Sequence, residues 1–83
     1  MNIIYSKHAL VQMIHRNISK KEVEQAILSP IKEIQQTPTR CRAIYAITNN
    51  TKPMLMIVVY DIQHVGAKEI VTAFVTSKIN KYL

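Results

Sequence analysis

Residues 18–31 read Ile18-Ser19-Lys20-Lys21-Glu22-Val23-Glu24-Gln25-Ala26-Ile27-Leu28-Ser29-Pro30-Ile31, and they divide the chain into a helical half and a β half. Ser19 and Glu22 form an S-x-x-E capping box. The serine oxygen accepts from an otherwise orphaned first-turn N–H, and the glutamate reaches back to the serine's own N–H. Ile18, just ahead of the cap, is placed to staple onto Val23. Val23, Ala26 and Ile27 form the apolar face of this helix. Pro30 stops it, because the residue before a proline resists helical angles.

Working back from Ile18, Asn17 tolerates the left-handed conformation and ends a preceding helix. That helix starts at the N-cap Ser6 and runs to about Arg16. Leu10, Met13 and Ile14 lie on one face of it, with His8, Gln12 and His15 opposite. A short strand, Ile3 to Tyr5, comes first.

Working forward from Ile31, the pattern is β. Ile31 to Gln36 reads as an edge strand, broken by Thr37 and Pro38. Cys41 to Thr48 alternates. Residues 49–53 read as a hairpin loop in which Asn supplies turn angles that Gly normally supplies. Met54 to Ile62 is nearly all apolar and reads as a central strand buried on both faces. Residues 63–68 form a turn around Gly66. Glu69 to Ser77 is the last strand, with Ile70, Thr72, Phe74 and Thr76 on one face and Val71, Ala73 and Val75 on the other. Lys78 to Leu83 is a basic tail. The expected fold is α+β: a short N-terminal strand, two helices, then a three- to four-stranded antiparallel sheet.

The 83 residues form one domain, 1–83, with no room for a second. Such a core gives a few kcal/mol of net stability, so a partner or self-association as a homodimer fits the chain. What is scarce narrows the chemistry. One Gly excludes a Gly-rich phosphate loop and a dinucleotide fingerprint. One Asp, Asp61, leaves a carboxylate metal clamp or calcium loop to be built almost from Glu alone. One Cys, Cys41, excludes an internal disulfide and a multi-Cys zinc site, and it reads as a small core residue. His8 and His15 stand too far apart along a helix to chelate one ion. No metal or cofactor is expected. The longest apolar run, Met54 to Tyr60, is too short to span a bilayer. The residues at the N-terminus do not read as a signal peptide, and a reducing cytoplasm is the expected compartment.

Eleven Lys and Arg stand against five Asp and Glu, a net charge of +6. The excess points to an anionic partner, RNA or an acidic protein. Arg16, Arg40, Arg42, Lys78 and Lys81, with Lys7, are the cations expected to meet phosphate. Tyr82, in the basic tail, is free to stack on a base. Tyr45 and Tyr60 read as core or half-core residues. His8 lies in the first turn of its helix, where the helix field favours the neutral imidazole that a general base needs. Thr72 can hydrogen-bond a phosphate, and it is equally a good strand former.

Tyr5-Ser6-Lys7-His8-Ala9, then Met13, Arg16, Ile18, Glu22-Val23, Ala26-Ile27 and Pro30, resembles the opening of the bacterial domain-of-unknown-function family 4258. Ile70-Val71-Thr72-Ala73-Phe74, followed by Thr76-Ser77-Lys78 and Lys81-Tyr82-Leu83, is similar to that family's last strand and tail. The resemblance implies a fold related to the RelE and ParE toxins, in which helices pack on one face of an antiparallel sheet. It also implies a toxin-like, metal-independent endoribonuclease in which the RNA 2′-hydroxyl attacks the adjacent phosphorus. The enzyme then supplies only a base, an acid and cations. By the same resemblance His8 is the base or acid, Arg16 holds phosphate and Thr72 hydrogen-bonds it, with Lys78 and Tyr82 accessory. An acidic antitoxin would be the protein partner. The alternative is a non-catalytic RNA- or protein-binding module of a toxin–antitoxin-like system.

Overall fold

A computed structural model describes residues 2–64 and 66–83. The elements are β1 (Ile3–Tyr5), α1 (Lys7–His15), α2 (Lys20–Leu28), β2 (Lys32–Gln35), β3 (Arg40–Asn49), β4 (Lys52–Ile62), β5 (Lys68–Thr76) and α3 (Ile79–Tyr82). The fold is α+β, as expected, but the sheet is larger and mixed. It has five strands in the order β1-β5-β4-β3-β2. β2 to β5 are antiparallel neighbours, whereas β1 runs parallel to β5, with Ile3 opposite Lys68 and Tyr5 opposite Ile70. The first strand is therefore part of the sheet rather than a lead-in to the helices.

The caps act as their chemistry requires. Ser6 Oγ accepts from Ala9 N at 3.1 Å. Ser19 Oγ accepts from Glu22 N at 3.1 Å, while Glu22 Oε1 accepts from Ser19 N at 2.9 Å, which completes the capping box. Asn17 takes the left-handed conformation, φ 56°, just beyond Arg16, the C-cap of α1. In α2, Val23, Ala26 and Ile27 are all buried, and Ile18 joins Val23 in the same cluster.

The buried face of α1 differs from the expected one. Ala9 and Met13 are buried, while Ile14 is 79% exposed and Leu10 is half-buried. At about 100° per residue the docked face is turned toward Gln12 and Arg16. Ala9 explains the rotation, because its small side chain lets the helix approach the sheet closely. His8 and Gln12 consequently flank the buried stripe instead of opposing it.

The first core layer lies between the helices and the sheet. Ala9, Met13, Val23 and Ile27 meet Ala43, Met56, Val58, Tyr60 and Ala73 there. β4 is buried on both faces, as its unbroken apolar run predicts. Met56, Val58 and Tyr60 face the helices, and Leu55 and Ile57 face the other way. On that second side Leu55 and Ile57 join Ile44, covered by Phe74, Ile79 and Tyr82. Residues 78–83, read as a basic tail, thus contain a helical turn that lids the second face.

Two turns refine the expected loops. Residues 49–53 were expected to form a hairpin loop, but only Asn50 and Thr51 leave the ladder, and Asn49 pairs with Lys52. Both turn residues have positive φ, 50° and 67°, which is the signature of a tight type I′ connection. In the turn expected over 63–68, Gly66 has φ 80° and its N–H donates to Gln63 O at 3.0 Å; Val65 lies outside the described residues.

The last strand departs from simple alternation. Val59 pairs with Thr72 but Tyr60 pairs with Ile70, so Val71 has no partner on β4 and forms a bulge. The extra residue resets the faces. Ile70 joins Ala73 and Val75 on the helix side, and Phe74 lies on the other. The expected common face of Ile70, Thr72 and Phe74 is not formed.

Candidate functional site

Helix α1 is fastened to β5 at both ends. At its start, Ser6 Oγ donates to Ile70 O at 3.1 Å. At its end, Arg16 Nη1 donates to Ala73 O at 2.9 Å. The Val71 bulge lies between these anchors. Among the described residues no strand pairs with the outer edge of β5 beyond Ile70, so the carbonyl of Ala73 is open to a side-chain donor.

The side chains between the anchors form one hydrogen-bonded cluster. Arg16 Nη1 lies 3.2 Å from Thr72 Oγ1 and 3.2 Å from Gln12 Oε1. Thr72 Oγ1 donates to the same Gln12 oxygen. The other end of the Gln12 amide, Nε2, lies 2.8 Å from His8 Nε2. His8, Arg16 and Thr72, far apart in sequence, therefore converge, with Gln12 joining them. Gln12 shares its helix stripe with His8 four residues before it and Arg16 four residues after it. That spacing was visible, but it assigned Gln12 no role. His15 takes no part in the hydrogen bonds of the cluster.

Beside Arg16 a groove of about 520 Å³ opens between the Asn17–Ile18 turn and Ile47, Met56 and Val75 of the sheet. Its walls mix apolar side chains with the amides of Asn17 and Asn49 and the carboxylate of Glu22. Lys7 is exposed next to His8 on the first turn of α1.

The remaining expected phosphate ligands lie elsewhere. Arg40 forms a two-pronged pair with Asp61, Nε to Oδ1 at 2.8 Å and Nη2 to Oδ2 at 3.0 Å, across the β3–β4 ladder. The guanidinium beside it holds the Asp61 carboxyl below its ordinary range. Arg42 points to the α3 side of the sheet, since Cys41 and Ala43 on either side of it face the helices. Its guanidinium carbon lies 5.6 Å from the centre of the Tyr82 ring, and Lys81 Nζ sits at 5.6 Å from the same ring. Arg42 Nε is buried with no hydrogen-bond partner among the described residues. Tyr82, expected to be free, packs edge-on against Phe74 at 6.0 Å between ring centres. Lys78 and Lys81 are exposed. The expected cations thus divide between two sides of the molecule and do not form one continuous patch.

Tyr5 OH bonds Glu24 Oε2 at 3.3 Å, and its ring carries Lys20 Nζ at 5.1 Å. Burial, then the charge and hydrogen bond of Glu24, push its hydroxyl up to about 12. Tyr60 is buried near the C-terminal end of β4, and burial with Glu33 and Cys41 beside it pushes its hydroxyl up as well. Cys41 is a buried core residue without a disulfide. Among the described residues no three His, Cys, Asp or Glu side chains cluster as a metal site, and no helix is long and apolar enough to cross a membrane.

The family whose sequence pattern matches the chain is Domain of unknown function (DUF4258), over residues 5–75. The matched span contains His8, Gln12, Arg16 and Thr72 and stops before α3. Comparison with curated proteins and with solved structures gives no match.

Proposed function

We propose that this chain, which belongs to the DUF4258 family, is a toxin-like, metal-independent endoribonuclease built on a RelE-like fold. The observation that supports this reading is the convergence of His8, Arg16 and Thr72 through Gln12. Cleavage by the RNA 2′-hydroxyl asks a protein for proton transfer and for neutralisation of the phosphate. His8 is the proton-transfer group, and Arg16 brings positive charge to the phosphate with Thr72 as a second donor. Lys7 and the groove beside Arg16 extend the surface over which RNA would lie. An acidic antitoxin, in a bacterial cytoplasm, would hold the activity in check.

A second reading is a non-catalytic RNA- or protein-binding module. It draws on Arg16, whose Nη1 already contacts three protein acceptors. One experiment separates the two. Purified protein is incubated with RNA, with and without EDTA, beside His8→Ala. The enzyme reading expects cleavage that survives EDTA and falls about 10²- to 10⁴-fold in His8→Ala. Intact RNA with folded wild-type protein overturns it. Salt-dependent RNA binding without cleavage, unchanged in His8→Ala, establishes the binding module.

A further inference from the structure

We infer that Gln12 is the positioning residue of this cluster, holding His8 as the tautomer that keeps its proton on Nδ1. The argument starts from Arg16. A guanidinium has donors and no acceptor, so the Gln12 atom facing Nη1 must be the amide oxygen. Thr72 donates its hydroxyl proton to the same oxygen, which reinforces that orientation. The Gln12 nitrogen then faces His8, and an amide nitrogen only donates. His8 Nε2, 2.8 Å away, must therefore accept. A neutral ring that accepts at Nε2 carries its hydrogen at Nδ1. Donor-only Arg16 thus sets the tautomer of an imidazole two helical turns away, through one carboxamide.

This has a chemical consequence for the ligand. With Nε2 engaged by Gln12, the ring nitrogen left for an incoming group is Nδ1–H, a donor. A donor there suits a hydrogen bond to an anionic oxygen of a phosphodiester, so that in this resting arrangement His8 binds and orients the phosphate. The assignment of the ligand rests on the ribonuclease reading; the assignment of the tautomer does not.

The test reads the ring directly. Nitrogen-15 shifts of His8 are recorded by NMR at about pH 8, above the ordinary histidine range. Wild-type protein is expected to show a protonated Nδ1 and an unprotonated Nε2. In Gln12→Leu this bias is lost and Nε2–H gains population. In Gln12→Glu the new carboxylate accepts from His8, and the proton moves to Nε2. Gln12 is at the surface edge of the helix, so these variants keep the fold, which circular dichroism checks. A wild-type ring protonated on Nε2, or shifts unchanged in Gln12→Leu, overturns the inference. The expected shifts in a protein that leaves RNA intact uphold the positioning role while the ribonuclease reading falls.

Discussion

Arg16 Nη1 lies 2.9 Å from the carbonyl oxygen of Ala73, which ties the end of α1 to a strand 57 residues later in the chain. A charged donor here serves fold and site together. It satisfies a carbonyl that no neighbouring strand reaches among the described residues, and it holds the guanidinium beside Thr72 and Gln12. Arg16→Ala is expected to lower stability by about 1.5–3 kcal/mol, the net range for a hydrogen bond with a charged partner. Arg16→Lys should recover little of it, because the shorter lysine side chain ends before the place that Nη1 occupies, where all three contacts are made. Urea unfolding of the three proteins checks both statements, and equal stability of all three would refute them.

Thr51 sits at φ 67°, a conformation that a β-branched side chain adopts only under strain. Gly has no Cβ to clash there, although it is more disordered when unfolded. Thr51→Gly is expected to stabilise the protein by about 1 kcal/mol, a rise in Tm of about 4–8 °C for a domain of this size. Calorimetry reads the change, and a fall in Tm contradicts it.

Tyr82 is an anchor rather than a free base-stacking group. It joins Phe74 edge-on and lies beside Arg42 and Lys81. Tyr82→Ala removes an aromatic pair worth about 0.5–1.5 kcal/mol and detaches α3 from Ile44, Leu55 and Ile57. The expected outcome is faster amide exchange at the centre of β4 together with lower stability. A change in RNA affinity without either would show that Tyr82 acts on the ligand instead.

Tyr5 gives a pH dependence with a definite sign. Its folded-state value, about 12, stands above the ordinary 10.0. The unfolded chain therefore loses the proton first, and the contribution of Tyr5 to stability is complete below pH 10 and fades as pH rises toward 12. Tyr60, also raised, acts in the same direction. Tyr5→Phe is expected to flatten the loss of stability between pH 10 and 12. An unchanged alkaline limb in denaturant titrations would count against it.

Arg40 is expected to matter little for RNA. Its guanidinium is paired with Asp61 on two prongs, whereas Lys7 is exposed beside His8. Arg40→Ala should leave the salt dependence of RNA binding nearly unchanged, and Lys7→Ala should lower its slope by about one phosphate contact. The reverse order would move the proposed RNA surface to the β3–β4 side.

The parts of the fold that were legible in the residues are the local ones. Ser6, Ser19, Glu22 and Asn17 carry helix boundaries in their own chemistry. The apolar run of β4 carries its double burial. What was not legible depends on distant partners. Ile3–Tyr5 is too short to announce that it lies parallel to a strand near the other end of the chain. The Val71 bulge leaves no mark in an alternating stretch, yet it moves Ile70 to the helix side. Residues 79–82 make a single turn whose helical form comes from the face they cover. In the candidate site, His8, Arg16 and Thr72 were separable candidates. Their link, Gln12, carries no charge and no titratable group, so only its position between the other three reveals it.

The attachment of β1 and α1 to β5 also sets when the cluster can exist. Chains are made from the N-terminus onward, and β5 is the last strand to leave the ribosome. Until it does, Tyr5 has no neighbour across the sheet, Ser6 has no Ile70 carbonyl and Arg16 has no Ala73. A nascent polypeptide halted before Thr72 carries His8, Gln12 and Arg16 in full but cannot arrange them. The cluster therefore needs β5 as well as α1, and a fragment that ends before Thr72 lacks it.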